Sequence, residues 1–151
     1  MNEQNQSKKV LILGGGYAGI IAAARVVRRC PGADVTLFDG KPDFVQRIRL
    51  HEVLAGRKPT TLRYEPLLAR RGVRFVQARV EALDPVRRQV AARTVDGARL
   101  DLGYDVAVLA LGSTTAAGVP GVAEHAVRMN DATALRQAHG KLARLAAWSR
   151  S

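Results

Sequence analysis

The sequence predicts an α/β fold with a parallel central sheet, and three observations support this prediction. Short, mostly apolar runs at 10–13 and 35–38 are typical of parallel strands that are buried on both faces. A helix-like segment at 17–29 lies between these two runs, as in a strand–helix–strand unit. A third apolar run at 106–111 has the same character, and strand and helix signals alternate along the chain.

The middle of the chain contains weaker signals for secondary structure. Residues 40–43 are predicted as a loop, and residues 44–56 as a loop that leads into a short helix. Another short helix is predicted over 65–71, ended by Gly72, and a strand is predicted over 73–82, ending near Asp84-Pro85.

A small antiparallel insertion is predicted after this strand. Residues 89–94 and 99–102 flank the dipeptide Asp96-Gly97, which is typical of a tight turn between two hairpin strands. The fold class is therefore α/β, with a parallel central sheet and a small antiparallel β insertion.

The last segment of the chain has helical periodicity. Apolar residues recur at intervals of three and four from Leu135 to Leu145, which predicts a helix over 131–148. Asp131 is the expected N-cap, and residues 119–121 form a turn before it.

The junction of the first strand and helix carries the pattern Gly14-x-Gly16-x-x-Gly19. Gly14 allows a tight turn, Gly16 lets a diphosphate approach the backbone, and Gly19 lets the helix pack closely on the sheet. The helix N-terminus offers free N–H groups to an anion. Asp39 ends the second strand, where a carboxylate accepts hydrogen bonds from a ribose. Together these features predict a Rossmann-like dinucleotide site.

The acid at position 39 disfavours a 2′-phosphate and so favours FAD or NAD over NADP, although Lys41 nearby acts against this preference. A plain strand–turn–helix without a ligand is the alternative interpretation of the same glycines.

The composition fits one globular domain with a high positive charge. The 151 residues are 47% hydrophobic, and the 24 basic residues exceed the 13 acidic residues, for a net charge of +11. Because the basic residues are scattered, we expect a solvated surface and no specific nucleic acid partner, with weak attraction to an anionic membrane surface as an alternative. No apolar stretch approaches the ~20 residues that cross a bilayer, and residues 1–7 lack the apolar core of a signal peptide.

The titratable residues do not suggest a metal site or a catalytic thiol. Cys30 is the one cysteine and is expected to be a small buried or half-buried residue. His125 and His139 are expected at the surface, and no spacing of His, Cys and acidic residues is typical of a metal site.

Two motifs resemble a known family. The sequence Val-Leu-Ile-Leu-Gly-Gly-Gly-Tyr-Ala-Gly at 10–19 with Val-Thr-Leu-Phe-Asp at 35–39 is similar to the first segment of the pyridine nucleotide-disulfide oxidoreductase flavoproteins. The segments 104–113 and 119–125 are similar to the strand-and-glycine motif that follows in that family. The branch that the chain resembles best is that of the type II NADH dehydrogenases.

The resemblance implies a cofactor site for FAD. It would place FAD over the glycine motif with Asp39 on its ribose. Val80, at the end of the third strand, would border the adenine, and Arg47 or Arg49 would lie at the flavin or the diphosphate. The segment 47–51, which includes His51 as a weaker candidate, has no cysteine, so the resemblance implies no dithiol relay. The residues that the resemblance assigns to the cofactor are Gly14, Gly16, Tyr17, Ala18, Gly19, Asp39, Gly40, Arg47, Val80, Ala110, Leu111 and Gly112.

The resemblance also implies an activity in a complete assembly. NADH or NADPH would reduce FAD, and FAD would reduce a quinone-like acceptor. The chain lacks the family's second G-x-G-x-x-G motif and its later Gly-Asp motif, so it resembles about the first third of such an enzyme. A non-catalytic nucleotide-binding or partner-binding module is the alternative, and an anionic-surface binder is a weaker one.

The expected organisation follows from this resemblance. Residues 1–7 would be a disordered N-terminus, 8–125 a partial FAD-binding domain, and 126–151 a connecting helix with a C-terminal tail. A second chain or self-association would complete the flavoenzyme. The expected location is the cytoplasm, peripheral to the inner face of the membrane if the basic surface binds lipid.

Overall fold

The computed structural model describes residues 7–113 and 118–148, with helix backbone but no side-chain description over 146–148. The predicted disordered segment 1–7 thus falls almost wholly outside the described residues, as does the tail at 149–151. The elements in chain order are β1 (Lys9–Leu13), α1 (Tyr17–Arg29), β2 (Asp34–Asp39), β3 (Asp43–Val45), α2 (His51–Leu54), β4 (Thr61–Arg63), α3 (Tyr64–Ala69), β5 (Val73–Asp84), β6 (Gln89–Thr94), β7 (Arg99–Gly103), β8 (Val106–Leu109), α4 (Val122–His125) and α5 (Ala132–Trp148), with one 3₁₀ turn, Arg47–Arg49, before α2.

The main sheet has six strands in the order β7-β6-β5-β2-β1-β8. The strands β5, β2, β1 and β8 are parallel, and β6 and β7 continue the sheet as antiparallel neighbours of β5. This confirms the predicted α/β class with a parallel centre and an antiparallel insertion. Two short strands, β3 and β4, form a separate two-stranded sheet.

The central parallel strands β1 and β2 are buried because their residues face packed layers on both sides, whereas β8 is the edge strand of the sheet. Ile12, Leu13, Leu37 and Phe38 are all at most 1% exposed. One face of the sheet packs on α1 and α3 through a cluster that includes Ile12 and Ala23. On the other face, residues of β1 and β2 pack together with residues of β5 and β6. This burial fixes the carboxyl ends of β1, β2 and β8 at one edge, where ligands bind in open parallel sheets.

The chain packs as two compact units that alternate along the sequence. The first comprises the described residues up to Phe44 together with Leu62–Gly112, and it contains the six-stranded sheet. The second comprises Val45–Thr61 and the described residues from Ser113 onward. Its core is the packing of Leu50 and Val53 against Leu135 of α5. The boundaries expected from the sequence, 8–125 and 126–151, stay a prediction.

Most predicted elements are present, but three features differ from expectation. The strands β3 and β4, three residues each, lie partly in segments predicted as loop or left without a prediction. The apolar run at 106–111, expected to be a buried strand like β1, instead forms the edge strand β8, in which Val106 and Leu109 are 47% and 63% exposed. The stripe of α5 is buried only at Leu135 and Ala138, whereas Leu142 and Leu145 are more than half exposed. Within the described residues, no helix is long and apolar enough to cross a membrane.

Candidate functional site

The glycine loop lies at the carboxyl end of β1, beside the carboxyl end of β8. Gly14 has φ +106°, in the left-handed region, and a Cβ placed on it would lie 2.2 Å from the carbonyl oxygen of Ala110. Its N–H donates to the carbonyl of Phe38 at 2.8 Å. Glycine is required here both by the backbone conformation and by the close approach of another chain segment.

Gly16 begins α1 and faces open space. A Cβ at Gly16 would meet no atom within 4 Å, and its backbone is extended, so neither strain nor contact requires glycine in the unliganded protein. Space beside a glycine at a helix N-terminus fits the predicted approach of a diphosphate.

The N-terminus of α1 is left uncapped by side chains. Gly16 supplies no side-chain hydrogen bond, and the first turn contains no acidic residue. The first helical hydrogen bond runs from the N–H of Ile20 to the carbonyl of Gly16 at 3.0 Å. The amides of Tyr17, Ala18 and Gly19 thus have no acceptor within the helix, which is the arrangement that binds anions.

Gly19 is required by packing, as the sequence predicts. A Cβ at Gly19 would lie 1.9 Å from the carbonyl oxygen of Gly14 and 3.5 Å from the side chain of Ile12. The residue is buried. The third glycine therefore allows the first turn of α1 to lie directly on the loop and on β1.

Asp39 ends β2 and holds the loop. Its carboxylate accepts hydrogen bonds from the N–H of Gly15 at 2.8 Å and from the N–H of Lys41 at 2.9 Å. The sequence predicts a ribose-binding role, and the structure adds a bond to the glycine loop that the sequence did not reveal. A carboxylate has about four lone-pair positions, so these two bonds leave capacity for ribose hydroxyls.

The segment after β8 runs against the same loop. The N–H of Ala110 donates to the carbonyl of Leu13 at 2.7 Å, and its own carbonyl lies against Gly14. Leu111 is 55% exposed, and Gly112 has φ +75°. The structure therefore brings Ala110, Leu111 and Gly112 to the glycine loop, whereas their contact with a cofactor stays a prediction.

Tyr64 is a site residue that the sequence analysis missed. Its hydroxyl donates to the carbonyl of Gly15 at 2.6 Å. A Cβ placed on Gly15 would lie 2.5 Å from the Cζ atom of the Tyr64 ring. The ring stacks on Phe75 with centroids 4.9 Å apart. No sequence pattern connects positions that are 49 residues apart, so only the fold reveals this contact.

The other predicted residues of this unit are placed as follows. Tyr17 is 37% exposed and packs edge-on against Phe44, and Ala18 is exposed. Gly40 is exposed after β2. Val80 is half-buried and lies inside β5, opposite Ala92 of β6, rather than at the end of a strand. Their contact with a cofactor stays a prediction.

The basic candidates lie in the second unit. Arg47 and Arg49 are both exposed within the 3₁₀ turn. Arg49 forms two hydrogen bonds with the carboxylate of Glu52, at 2.9 and 3.1 Å, and these bonds lower the pKa of Glu52 below its ordinary value of 4.5. Arg49 is therefore engaged by a structural ion pair, and the role of Arg47 stays a prediction.

The histidines and the cysteine give no catalytic group. His125 is exposed, as expected, but His139 is half-buried because its Nδ1 lies 3.0 Å from the carbonyl of Leu54 and its ring fills the space beside Gly56. The expected burial of Cys30 is wrong, because it lies exposed at the end of α1. Among the described residues, no group of His, Cys, Asp or Glu is arranged to hold a metal ion.

The fold and the glycine loop define a Rossmann-like α/β domain. The pyridine nucleotide-disulphide oxidoreductase family matches residues 8–146. The chain belongs to this family.

Curated relatives include type II NADH:quinone oxidoreductases. That of Staphylococcus epidermidis is 30% identical over 140 residues, and that of Staphylococcus aureus is 31% identical over the same length. Each alignment covers 86% of this chain and 33% of the relative. The chain thus spans about a third of the length of the curated relatives it matches.

Solved structures share the fold. A sulfide:quinone oxidoreductase from Aquifex aeolicus has a TM-score of 0.84 with 26% identity, covering 93% of this chain and 33% of that chain. NDH2 from Plasmodium falciparum has a TM-score of 0.78 with 20% identity, covering 90% and 29%. The architecture of this chain is therefore that of the corresponding third of these proteins.

Proposed function

We propose that this chain is the FAD-binding portion of an NAD(P)H-dependent oxidoreductase of the NADH:quinone reductase kind. The observation that carries the proposal is the uncapped N-terminus of α1 beside Gly16, with Asp39 at the end of the neighbouring strand. The family membership and the NADH:quinone oxidoreductases among the relatives support the choice of reaction.

The residues present fit FAD at this site. The open space at Gly16 and the amides of Tyr17 and Ala18 would receive the diphosphate, and Asp39 would accept hydrogen bonds from the ribose. The segment 110–112 borders the same loop. When bound, FAD would supply hydride acceptance from NAD(P)H and electron delivery to a quinone-like acceptor.

The chain's own contribution would be binding and orientation. The backbone N–H groups of α1 neutralise negative charge without a side chain, and the left-handed Gly14 holds the loop close to the strand ends. We propose no catalytic residue: among the described residues, the two titratable side chains that contact this loop, Asp39 and Tyr64, both bond to the backbone of Gly15.

A non-catalytic nucleotide-binding module is the second candidate. The observation that favours it is that the 151 residues carry one dinucleotide-binding motif. Both candidates need the same dinucleotide site and differ in whether bound flavin is reduced by NADH.

Gly16 provides a test of the site that does not disturb the fold. Gly16→Val introduces a side chain into open space, so the melting temperature should stay at the wild-type value. FAD affinity should fall about tenfold or more, because the side chain would occupy the diphosphate position. Gly32→Val is the matched control, since Gly32 also faces open space.

The measurements are circular dichroism melting and titration of flavin fluorescence. A wild-type protein that takes up no FAD would overturn the proposal, and so would a Gly16→Val protein that binds FAD as tightly as Gly32→Val does.

A further inference from the structure

We propose that Tyr64 is a positioning residue of the glycine loop, whose hydroxyl orients the Gly15–Gly16 peptide so that the loop presents its amides to a diphosphate. This inference rests on the proposed function for its ligand, but the contact itself is independent of it. Tyr64 lies at the start of α3, outside the strand–helix unit that carries the glycine pattern.

Tyr64 is held rigidly. The residue is 2% exposed, its ring stacks on Phe75, and its N–H donates to the carbonyl of Pro42 at 3.1 Å. Because the ring of Tyr64 is buried and its backbone is hydrogen-bonded, the 2.6 Å hydrogen bond from its hydroxyl orients the carbonyl of Gly15. The carbonyl is in a buried residue, and the hydroxyl satisfies it.

Gly15 is held from both sides. Its N–H donates to Asp39 at 2.8 Å, and its carbonyl accepts from Tyr64. Asp39 thus fixes the peptide before Gly15, and Tyr64 fixes the peptide after it. These two contacts determine the orientation of two successive peptide planes of the loop.

The geometry of a trans peptide transmits this orientation to Gly16. No peptide bond in the described residues is cis, so the N–H of Gly16 is directed opposite to the carbonyl of Gly15. That carbonyl is directed at the buried Tyr64 hydroxyl, and therefore the N–H of Gly16 is directed away from the buried ring.

The first turn of α1 follows directly on this peptide. The carbonyl of Gly15 accepts the Tyr64 hydroxyl, and the first helical bond is that of Ile20 to Gly16. The amides of Tyr17 to Gly19 have no acceptor within the helix and can bind a ligand.

The test compares Tyr64→Phe with Tyr104→Phe. Tyr64→Phe keeps the ring and removes the hydroxyl, and Tyr104→Phe removes a partly buried hydroxyl that lies 3.4 Å from the carbonyl of Asp84 in the same unit. Only Tyr64→Phe should accelerate amide hydrogen exchange at Gly15 and weaken FAD binding, by about five- to tenfold for one lost hydrogen bond.

A spectroscopic signal separates positioning from a loss of stability. In phosphorus NMR of the FAD complex, the diphosphate resonances should shift in Tyr64→Phe and stay unchanged in Tyr104→Phe, at a temperature where both variants are folded. Unchanged Gly15 exchange together with unchanged FAD affinity in Tyr64→Phe would overturn the proposal.

Two further results keep the test decisive. If wild-type protein binds no FAD, the proposed function fails, while exchange at Gly15 still decides whether Tyr64 orders the loop. If Tyr64→Phe does not fold, wild-type protein labelled with fluorotyrosine is titrated with ADP. A shift of the Tyr64 fluorine resonance supports the proposal, and an unchanged resonance overturns it.

Discussion

At the scale of single residues, the glycines of the loop have different physical reasons to be glycine. Gly14 is required by its left-handed backbone and by the carbonyl of Ala110, and Gly19 by the carbonyl of Gly14. The atoms nearest to a Cβ at Gly15 are those of the Tyr64 ring, and a Cβ at Gly16 would meet no protein atom within 4 Å. A substitution at each position should therefore have a different consequence, although the sequence pattern treats them alike.

We expect Gly15→Ala to be destabilising and a change at Tyr64 to relieve part of the effect. The new Cβ would overlap the Tyr64 ring, which costs about 1–3 kcal/mol when a packed site is overfilled. In a Tyr64→Leu background the ring is absent and the backbone of Gly15 tolerates alanine, so the same change should cost much less. Urea unfolding of the four proteins measures the coupling.

Gly19→Ala is the control for this cycle. Its Cβ would overlap a backbone carbonyl, which Tyr64→Leu does not remove, so its destabilisation should be the same in both backgrounds. Equal costs of Gly15→Ala with and without Tyr64 would contradict the explanation.

The sequence predicts part of this site and misses the rest for a clear reason. Gly14, Gly16, Gly19 and Asp39 follow one another at fixed offsets within a single strand–helix–strand unit, so local spacing is enough to find them. Tyr64 comes from another helix, and its contact exists only after α3 packs beside the loop. Its sequence neighbourhood carries no signal of that contact.

At the scale of elements, strong local patterns predict structure well and weak ones do not. The apolar runs of β1 and β2 and the Asp96-Gly97 turn, where Gly97 has φ +89°, are confirmed, whereas the run at 106–111 forms a strand that is exposed at the sheet edge. Asp131 caps α5 through a hydrogen bond from the N–H of Thr133 at 2.8 Å, as predicted. The three-residue strands β3 and β4 are too short to produce a periodic signal, because their pairing comes from the fold.

The helix α5 shows the limit of periodicity as a predictor of burial. Leu135 is fully buried against Leu50 and Val53, whereas Leu142 on the same stripe is 52% exposed. The pattern gives the helix and its apolar face, but the length of the short α2 and its neighbours decides how much of that face is covered.

The antiparallel extension contains an ion pair that makes stability depend on pH. A bulge between Val80 and Ala82 leaves Glu81 without a paired residue on β6. The Glu81 carboxylate accepts a hydrogen bond from the guanidinium of Arg93 at 2.7 Å. This hydrogen bond holds the pKa of Glu81 below its ordinary value of 4.5. Because the folded-state pKa is depressed, the pair stabilises the fold above about pH 4.5 and loses its effect as the pH falls through the folded pKa.

We expect Arg93→Gln to lower the free energy of unfolding slightly at neutral pH. At a pH below the folded-state pKa of Glu81, the substitution should have no effect. Both side chains are largely exposed, so the difference should be small and should shrink in high salt. Urea unfolding across a pH series measures it. Arg87→Gln, which affects an exposed pair with Asp84, is the control, and a difference that persists at low pH would contradict this account.

At the scale of the whole molecule, the two relevant features are the net charge and the number of dinucleotide-binding motifs. The net charge of +11 is spread over the surface, and several ion pairs of the first unit use arginines at strand ends and in the hairpin. We propose that a second chain or a second copy contributes to the flavoenzyme, because these 151 residues carry one dinucleotide-binding motif and the reaction needs two nucleotides.

The reaction with NADH is therefore the test that belongs to the whole molecule. Hydride transfer requires a nicotinamide held against the flavin ring, and one glycine motif provides one dinucleotide site. We expect the FAD-loaded chain to be bleached at once by dithionite but not by NADH, as followed by anaerobic absorbance at the flavin bands. A type II NADH:quinone oxidoreductase treated in the same way is the control and should be bleached by both. Prompt bleaching of this chain by one equivalent of NADH would show that the 151 residues hold both nucleotides, and it would favour the enzyme over the binding module.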